Sequence, residues 1–403
     1  MIDFANLASE FGTPLYVYDA TEVRRRIHLA RAVFEGLDAH IFFAVKANTN
    51  PALLSLIKME GVGADVVGPG ELEAAVRAQI RDLLLNGNGK TPAIAGAFVD
   101  AGGSYVSMDT PDELSLWHDF PVKRLLRVNP NIVAGGHKHI ATGGNVHKFG
   151  VAPERIPEAI GYLDGLHVHI GSQILDPEPF REAYTAGVNL AQSYKLKLLD
   201  IGGGWGIRYG HDERDLDLDE FRERVVLPVL RPFDGTLLVE LGRWIIASAG
   251  SLLLQVISVK KSGKTFVVVD AGMNALIRPA LYDAWHDVEP IRPRGPRCLC
   301  DVVGPVCETG DVLAHDRELA LPDPGDILRI ANTGAYGFSM ASNYNGTMRP
   351  AEVLVDGANT TLIRRRETLD DFFATCSTQF RTSHATQRND SDSHSSGEPH
   401  ESN

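Results

Sequence analysis

Ile41-Phe-Phe-Ala-Val-Lys-Ala-Asn48 is the stretch of sequence that decides the fold of this chain. Bulky apolar residues occupy both alternating faces of the segment, which is typical of a strand covered on both sides in a parallel sheet. Lys46 lies at the C-terminal end of this apolar run. An ammonium group at that position is either desolvated by burial or used covalently.

Two interpretations of Lys46 are open from this segment alone. A buried lysine whose charge is suppressed is a nucleophile for carbonyl compounds, and covalent attachment of pyridoxal phosphate (PLP) is the common use of such a residue. Alternatively, a lysine at a strand end extends its ammonium group to solvent along its own methylene chain. The rest of the sequence has to separate the two.

Eight short apolar segments alternate with helical or polar segments between Ile41 and about Arg243. This alternation predicts a parallel sheet with crossover helices, and eight units predict a closed (β/α)8, or TIM-like, barrel. The connecting segments Pro51–Met59 and Glu71–Arg77 have clear helical patterns, whereas residues 91–101 have a weak one. The predicted strands are 41–48, 64–67, 83–86, 105–109, 124–129, 166–170, 198–201 and 236–240.

Segments rich in β-formers and without long helices follow residue 250, which predicts a C-terminal β domain. We expect the N-terminal strand Thr13–Asp19 to join it. The polar, Ser- and His-rich residues at the end of the chain cannot bury enough apolar surface to fold. The predicted division is an N-terminal strand and helix packing with the β domain (1–35), the barrel (36–250), the β domain (251–380) and a disordered tail (381–403).

Composition limits the class of partner. The 403 residues include 39 Lys and Arg and 52 Asp and Glu, a formal charge of -13, which argues against nucleic acid or an anionic membrane as the main partner. The sequence has neither a bilayer-spanning apolar run nor a secretion signal. Four cysteines do not form a disulfide framework, and Cys298 and Cys300 alone do not complete a zinc site. We therefore expect a cytoplasmic protein that acts on a small molecule and holds no metal.

Unusual polar residues and glycines fall at the C-terminal ends of the predicted barrel strands, where chemistry collects in this fold. The glycines 202–204 follow one strand and either wrap a phosphate with backbone N–H groups or form a tight turn. Glu240 ends the last strand, and a buried carboxylate there needs a partner that a protonated pyridine nitrogen would supply. Lys46, Arg127 and His169 occupy equivalent positions on other strands.

Six motifs, in order along residues 10–375, resemble those of the diaminopimelate decarboxylase family. They are Phe43–Asn48, His167–Gln173, Asp200–Gly204, Arg278–Tyr282, Gly304–Asp311 and Gly334–Met340. The resemblance implies a PLP enzyme of the alanine-racemase-like fold type III, a (β/α)8 barrel plus a β domain, working as a homodimer with shared active sites. It also implies decarboxylation of meso-2,6-diaminopimelate to L-lysine and CO2, the last step of lysine biosynthesis.

The resemblance assigns roles to individual residues. Lys46 holds PLP covalently, His169 stacks on the cofactor ring, and Glu240 pairs with the pyridine nitrogen. The family's Glu-Pro-Gly-Arg motif is similar to Glu240-Leu-Gly-Arg243, with Leu241 in the proline position. Further cofactor contacts are implied for Ser172, Gly203, Gly204, Gly242, Arg243 and Tyr336, substrate contacts for Arg243, Arg278, Tyr282, Glu308 and Tyr336, and proton donation from the other subunit for Cys307.

Two alternative functions stay open. Leu241 leaves room for a sister decarboxylase acting on ornithine, lysine or a siderophore-pathway substrate, although a diamine-forming enzyme has no distal carboxylate for Arg278 to bind. A non-catalytic PLP-binding paralogue is the second alternative, but such a protein has no need of a proton donor such as Cys307. Structural roles are also open, because Arg278 could form an ordinary ion pair and Cys307 could be an inert buried thiol.

Overall fold

The computed structural model describes residues 2–130, 148–210 and 213–377, so the predicted tail from residue 381 lies outside the described residues. The chain begins with helix α1 (Phe4–Phe11), strand β1 (Leu15–Asp19) and helix α2 (Ala20–Val33). Asp19 ends the strand and caps the helix that follows, because its carboxylate accepts a hydrogen bond from the N–H of Thr21 at 2.8 Å.

A closed barrel of eight parallel strands forms the main body of the chain, as predicted. Each strand pairs with the next one in sequence, and the last pairs with the first in a register that sets Ala39 beside Leu237. The barrel strands are β2 (Ala39–Ala44), β3 (Gly63–Val66), β4 (Leu83–Leu85), β5 (Tyr105–Met108), β6 (Lys123–Arg127), β7 (Gly165–His167), β8 (Leu198–Asp200) and β9 (Thr236–Leu241).

Helices connect these strands, including one in the segment 91–101 where the sequence pattern is weak. That helix begins well, because the Thr91 side chain accepts a hydrogen bond from the N–H of Ile94 and Pro92 occupies the first turn. The connecting helices are α3 (Pro51–Met59), α4 (Pro69–Arg77), α5 (Pro92–Asp100), α6 (Leu114–Trp117), α7 (Pro177–Ser193), α8 (Leu218–Phe221), the π-helix Arg222–Leu230 and α9 (Arg243–Ile246). Within the described ranges, no helix has both the length and the apolar character needed to cross a membrane.

Inside the barrel, a level of apolar side chains is followed, two residues further along the strands, by a level of polar side chains. Alternate residues of a strand point to the same face, so positions two residues apart lie one above the other inside the barrel. The apolar level consists of Phe42, Leu84, Leu125, Leu198 and Leu238, which pack together. Above it lies what we call the polar layer, formed by Asp65, Asn86, Ser107, Arg127, His167, Asp200 and Glu240.

A mixed sheet of nine strands forms the second domain, and β1 is one of its central strands, as predicted. Leu15 pairs antiparallel with Leu253 on one side and parallel with Ala351 on the other. The remaining elements are β10 (Gly250–Ser262), β11 (Lys264–Val269), α10 (Arg278–Tyr282), β12 (Val288–Pro290), β13 (Arg297–Val303), β14 (Val312–Ala320), β15 (Ile327–Ile330), β16 (Ala351–Asp356), β17 (Asn359–Arg364) and α11 (Leu369–Phe373). Short 3₁₀ segments lie at Val45–Ala47, Pro111–Glu113, Pro153–Glu158, Ile160–Tyr162, Phe338–Met340 and Tyr344–Gly346.

Helix α2, which we expect from the sequence to pack with the β domain, contacts both domains. Arg24 forms an ion pair with Asp356 of β16 at 2.7 Å. On the barrel side, the Arg26 guanidinium lies 4.5 Å from the centre of the Trp244 ring in α9, and the Trp244 indole donates to the Arg26 carbonyl oxygen at 3.2 Å. The helix therefore bridges the two bodies, and the boundary at residue 35 stays a prediction.

Glu352 on β16 joins the sheet to the barrel. Its side chain is fully buried, accepts hydrogen bonds from the Tyr18 hydroxyl at 2.7 Å and the Asn50 amide at 2.9 Å, and pairs with Arg364. Asn50 also caps α3 of the barrel. One carboxylate thus connects β1, β17 and the first barrel helix, and all of these donors lose their acceptor if it is removed.

Replacing Glu352 with alanine is expected to lower the free energy of unfolding by about 3 to 5 kcal/mol, because it leaves buried donors and a cation unpaired. Urea denaturation followed by circular dichroism measures this change. Glu289→Ala is the matched control, since Glu289 pairs with Arg329 in the same sheet but is 63% exposed, and its loss should cost at most about 1 kcal/mol. Equal losses for the two variants would contradict a central role for Glu352.

Candidate active site

A cavity of about 650 Å³ opens at the C-terminal ends of the barrel strands, lined by residues of both domains. Its volume is typical of a small-molecule site, and its position is where barrels of this type place their chemistry. Most of the site residues predicted from the sequence line it, namely Lys46, His169, Ser172, Gly204, Glu240, Gly242, Arg243, Arg278, Tyr282 and Tyr336. The structure therefore brings together residues that are far apart in the chain.

Lys46 lies in the single 3₁₀ turn that follows β2, just beyond the strand that was predicted to contain it. Its side chain projects into the cavity. Burial lowers the pKa of Lys46, but Asp65, Tyr336 and Glu240 outweigh this effect, so the pKa is raised. The Lys46 side chain is exposed to the open cavity, and its acidic neighbours favour the ammonium form.

Glu240 lies at the floor of the cavity and is held by an amide. The side chain of Asn86 donates one hydrogen bond to Glu240 Oε1 at 2.5 Å and another to Asp65 Oδ1 at 2.7 Å, so it bridges two buried carboxyl groups. His167 Nε2 lies 3.7 Å from the same Glu240 oxygen, while His167 Nδ1 bonds to the Ser107 hydroxyl at 2.6 Å. These contacts fix the orientation of the Glu240 carboxylate.

Asp200 lies beside Glu240 at the end of β8 and is fully buried. Its Oδ1 accepts a hydrogen bond from the N–H of Gly202 at 2.8 Å, whereas within the described residues Oδ2 meets no N–H or O–H donor. Burial and the negative charge of Glu240 raise the pKa of Asp200 well above its usual value. The surroundings of Asp200 therefore favour the protonated form of its carboxyl group.

His169 stands on the wall of the cavity as a neutral imidazole. Its Nδ1 accepts a hydrogen bond from the N–H of Gly203 at 3.2 Å, which places the ring proton on Nε2. Burial and the charges of Arg127 and Lys46 lower the pKa of His169 well below its usual value. An uncharged, fixed ring of this kind fits stacking against a flat aromatic cofactor.

The ligand atoms of His167, His169 and Glu240 lie within 4.8 Å of one another, close enough to hold a metal ion. The electrostatic surroundings oppose this use. The positive charges of Arg127 and Lys46 lower the pKa of both histidines, and they repel a metal cation in the same way. The cluster therefore fits hydrogen bonding and stacking against a cofactor better than it fits a metal.

Arg243 and Ser172 form an anion-binding corner of the cavity. Arg243 is buried, and its guanidinium donates to the Ser172 hydroxyl at 3.0 Å and to the Tyr209 hydroxyl at 2.9 Å. Its Nε finds no acceptor among the described residues. A buried cation with an unused donor is a good site for a phosphate group.

The glycines after β8 line the same part of the structure because no other residue fits there. A Cβ atom on Gly203 would lie 1.8 Å from the Glu240 carbonyl oxygen, and one on Gly204 would lie 2.4 Å from the Gly171 carbonyl oxygen. Gly204 also has a φ of +97°, which side chains disfavour. The segment therefore packs its backbone closely against Glu240 and Gly171, and Gly204 lines the cavity together with Arg243.

Arg278 begins α10 and places a second buried guanidinium at the cavity wall. Its central carbon lies 4.4 Å from the centre of the Tyr209 ring, whose hydroxyl accepts the hydrogen bond from Arg243. Burial raises the pKa of Tyr209, but the charges of Arg243 and Arg278 outweigh it, so its pKa is lowered. Tyr209 thus separates two arginines that could each bind an anion.

Tyr336 reaches the cavity from the β domain on a strained backbone. Its φ of +57° is uncommon for an aromatic residue, and the conformation is held by a hydrogen bond from its N–H to the Ala47 carbonyl oxygen at 2.8 Å. Ser339 donates to the same oxygen at 3.1 Å. The turn that presents Lys46 is therefore fixed directly by the second domain.

Cys307 and Glu308 do not line the cavity of their own chain. Both are exposed, and the Tyr344 hydroxyl donates to Glu308 at 3.2 Å. Their loop is nevertheless well defined, because buried Asp311 accepts hydrogen bonds from the N–H groups of Val306 at 2.7 Å and Met273 at 2.5 Å. Among the described cavity residues there is no cysteine.

Several residues of the site were missed at the sequence level. Asn86 ends a predicted strand, as Glu240 does, so its position in the chain was an available signal, whereas Asp65 is the second residue of the predicted strand 64–67. Tyr209 gave no such signal, because it lies in the irregular segment after β8 and its contacts with two arginines depend on folding. Arg127 was noticed at a strand end without a role, and it stacks on Phe149 at 4.7 Å.

Comparison with known proteins identifies relatives that match nearly the whole chain. The family model "Pyridoxal-dependent decarboxylase, pyridoxal binding domain" matches residues 20–247. Diaminopimelate decarboxylase of Aquifex aeolicus is 38% identical, covering 92% of this chain and 93% of that protein. The Pseudomonas aeruginosa diaminopimelate decarboxylase is 40% identical, with 93% and 95% covered. A crystal structure of the Helicobacter pylori diaminopimelate decarboxylase in complex with L-lysine superposes with a TM-score of 0.88 at 34% identity, covering 92% of this chain and 98% of that one.

Asp200→Asn is expected to stabilise the protein increasingly as the pH rises. In the folded protein the pKa of Asp200 is raised, so the wild type loses stability above the ordinary aspartate pKa, where only the unfolded chain ionises. Asparagine has no such loss, so its advantage should grow as the pH rises from 5 to 8, with a slope of at most about 1.36 kcal/mol per pH unit. Urea denaturation of both proteins across this range measures the difference.

The control for this experiment is Asp323→Asn, which neutralises an exposed aspartate between β14 and β15. Its stability relative to the wild type should stay constant within about 0.5 kcal/mol over the same pH range. A pH-independent difference for Asp200→Asn would show that Asp200 is ionised in the folded protein.

Proposed function

Because the chain belongs to the diaminopimelate decarboxylase family of pyridoxal-dependent enzymes, we propose that it removes CO2 from meso-2,6-diaminopimelate and produces L-lysine. The observation that carries this proposal is the presence of a buried arginine, Arg278, in the same cavity as Lys46. A decarboxylase for this substrate must act on one amino-acid head group while it binds the carboxylate of the other. The two residues meet these two needs.

The residues of the cavity fit PLP from its phosphate to its ring. Arg243, Ser172 and Gly204 would hold the phosphate, the Gly203 N–H would hold His169, and Lys46 would hold the carbonyl carbon covalently. When bound, PLP supplies a protonated pyridine ring that accepts the electron pair left by the departing CO2. His169 offers its neutral ring for stacking, because its Nδ1 is fixed by the Gly203 N–H.

Glu240 would keep the proton on the pyridine nitrogen. Its carboxylate is oriented by the amide of Asn86 at 2.5 Å, and the pKa of the neighbouring Asp200 is raised by burial and by Glu240. A carboxylate fixed in this position would form a charge-assisted hydrogen bond with a ring N–H⁺. Members of this fold that racemise alanine have an arginine at this position, so Glu240 favours decarboxylation.

Substrate recognition would use both domains. Arg278 binds the distal carboxylate with a planar, two-pronged donor, and Tyr282 lines the same cavity. Glu308 would bind the distal ammonium group. A decarboxylase that forms a diamine from ornithine or lysine has no second carboxylate for Arg278, and a buried, unpaired guanidinium would then be costly.

We further propose that the enzyme is a homodimer in which Cys307 and Glu308 enter the cavity of the partner subunit. This is supported by their exposure on a loop that Asp311 holds in shape, and by the nearby exposed side chain of Tyr344. Cys307 would protonate the substrate carbon after CO2 has left, with Lys46 as the other available donor. A cytoplasmic location is supported by the four cysteines, which are all free thiols.

The purified enzyme should release CO2 from meso-diaminopimelate at least about 100-fold faster, in kcat/KM, than from L-lysine or L-ornithine, since a buried charged contact is worth about 3 kcal/mol. Lys46→Ala should abolish release from all three substrates and should lose the visible absorbance band that borohydride also removes. A preference for L-lysine or L-ornithine would overturn the proposed substrate. An intact band in Lys46→Ala would overturn the assignment of the cofactor lysine.

A mixture of Lys46→Ala and Cys307→Ala subunits should recover activity if the sites are shared. In an equimolar mixture, half of the dimers are mixed and each has one complete site, so about one quarter of the wild-type activity is expected. The measurement is CO2 release after the subunits have been exchanged and heterodimers verified by mass spectrometry of differently tagged chains. No recovery in verified heterodimers would argue against a shared site.

A further inference from the structure

His286 lies directly behind Arg278 and is completely buried. Its Nε2 lies 2.8 Å from Arg278 Nη1, and its Nδ1 lies 2.9 Å from the carbonyl oxygen of Ala331. The imidazole also packs edge-on against Tyr209, with ring centres 5.1 Å apart. His286 is not among the residues that line the cavity, so it affects a bound molecule only through its neighbours.

The hydrogen bonds of His286 determine where its proton lies. A backbone carbonyl oxygen accepts hydrogen bonds and never donates them, so Nδ1 must carry a proton. A guanidinium donates and never accepts, so Nε2 must be the unprotonated nitrogen. His286 is therefore a neutral imidazole with one tautomer, and burial together with the charge of Arg278 lowers its pKa well below the usual value.

We propose that His286 is a positioning residue that orients the Arg278 guanidinium for the carboxylate at the distal end of the substrate. The inference rests on the function proposed above and adds a specificity residue to it. Arginine has several rotatable bonds, and a side chain that must be ordered on binding loses affinity. The acceptor at His286 Nε2 and the face of Tyr209, 4.4 Å from the Arg278 carbon, hold the guanidinium before substrate arrives.

Two substitutions test the hydrogen bonds of the two His286 ring nitrogens separately. His286→Asn keeps a donor near the position of Nδ1, which can still bond to Ala331, but it removes the acceptor for Arg278. His286→Gln places an amide oxygen near the position of Nε2 and so restores that acceptor. The control is His315→Asn, since His315 pairs with Asp301 at 3.3 Å in the β domain and is 62% exposed.

The test compares binding of L-lysine and cadaverine to the PLP-loaded enzymes by calorimetry. The two molecules differ by the single carboxylate that Arg278 would bind. The wild type should bind L-lysine more tightly than cadaverine. In His286→Asn, affinity for L-lysine should fall about ten-fold while affinity for cadaverine stays within about two-fold, because one charged hydrogen bond has lost its geometry. His286→Gln should recover most of the loss, and His315→Asn should match the wild type.

The failures of the two proposals can be told apart. If the wild type itself binds cadaverine as tightly as L-lysine, Arg278 does not bind the carboxylate and the proposed function fails. If the wild type prefers L-lysine and His286→Asn keeps that preference, the positioning role alone is overturned. A parallel loss of affinity for both ligands in His286→Asn and His286→Gln would also overturn it, since that is the signature of a general structural role.

The tautomer of His286 can be measured in the wild-type enzyme, so this second test does not require His286→Asn to fold. In ¹⁵N NMR of wild-type enzyme with labelled histidine, the His286 signals, assigned by their absence in His286→Gln, should show a protonated Nδ1 and an unprotonated Nε2 from pH 6 to pH 8. A protonated Nε2 anywhere in that range would overturn the proposal, because it could not accept the hydrogen bond from Arg278.

Discussion

The rest of this structure depends on one constraint, which is the alternation of side chains between the two faces of the eight strands that close the barrel. On four of the strands, a shift of two residues leads from a buried leucine to a carboxyl, amide or guanidinium group, as from Leu84 to Asn86 and from Leu238 to Glu240. Burial of such groups is tolerated because they pair with one another, as in the bridge from Asn86 to Asp65 and Glu240. The apolar level stabilises the barrel, and the polar layer above it contributes to the pKa shifts of Lys46 and His169 in the cavity.

The barrel could be predicted from the sequence because its strands are local features. Each is a short apolar run with a loop or helix on either side, and the number eight leads directly to closure. The nine-stranded sheet was harder to predict from the sequence. Its existence followed from the β-rich composition after residue 250, but its strand order depends on pairing between distant segments, such as β1 with β16. Helix α5 was underestimated because a good cap, Thr91, compensates for a weak pattern.

The residues of the candidate active site could be predicted where they lie at strand ends or in the motifs that resemble those of the family. Lys46, His169 and Glu240 were each selected from the sequence, but the acidic neighbours that raise the pKa of Lys46 were not. A sequence shows that a lysine ends an apolar run, but it does not show that Asp65, one strand away, stands close to it. Tyr209 and His286 were not selected at all, since they lie in connecting segments and acquire their partners, Arg243 and Arg278, only in the folded chain.

The position of β1 has a consequence for the order in which the molecule is made. Tyr18 and its acceptor Glu352 are 334 residues apart in the chain. At ribosomal speeds of about 5 to 20 residues per second, Tyr18 waits roughly 15 to 70 seconds for this partner. The barrel is complete at Leu241, so it can close during translation, and β10 can then protect one edge of β1. The other edge stays open until β16 leaves the ribosome, so the second domain, and with it the clamp from Tyr336 onto the Lys46 turn, is a late product of synthesis.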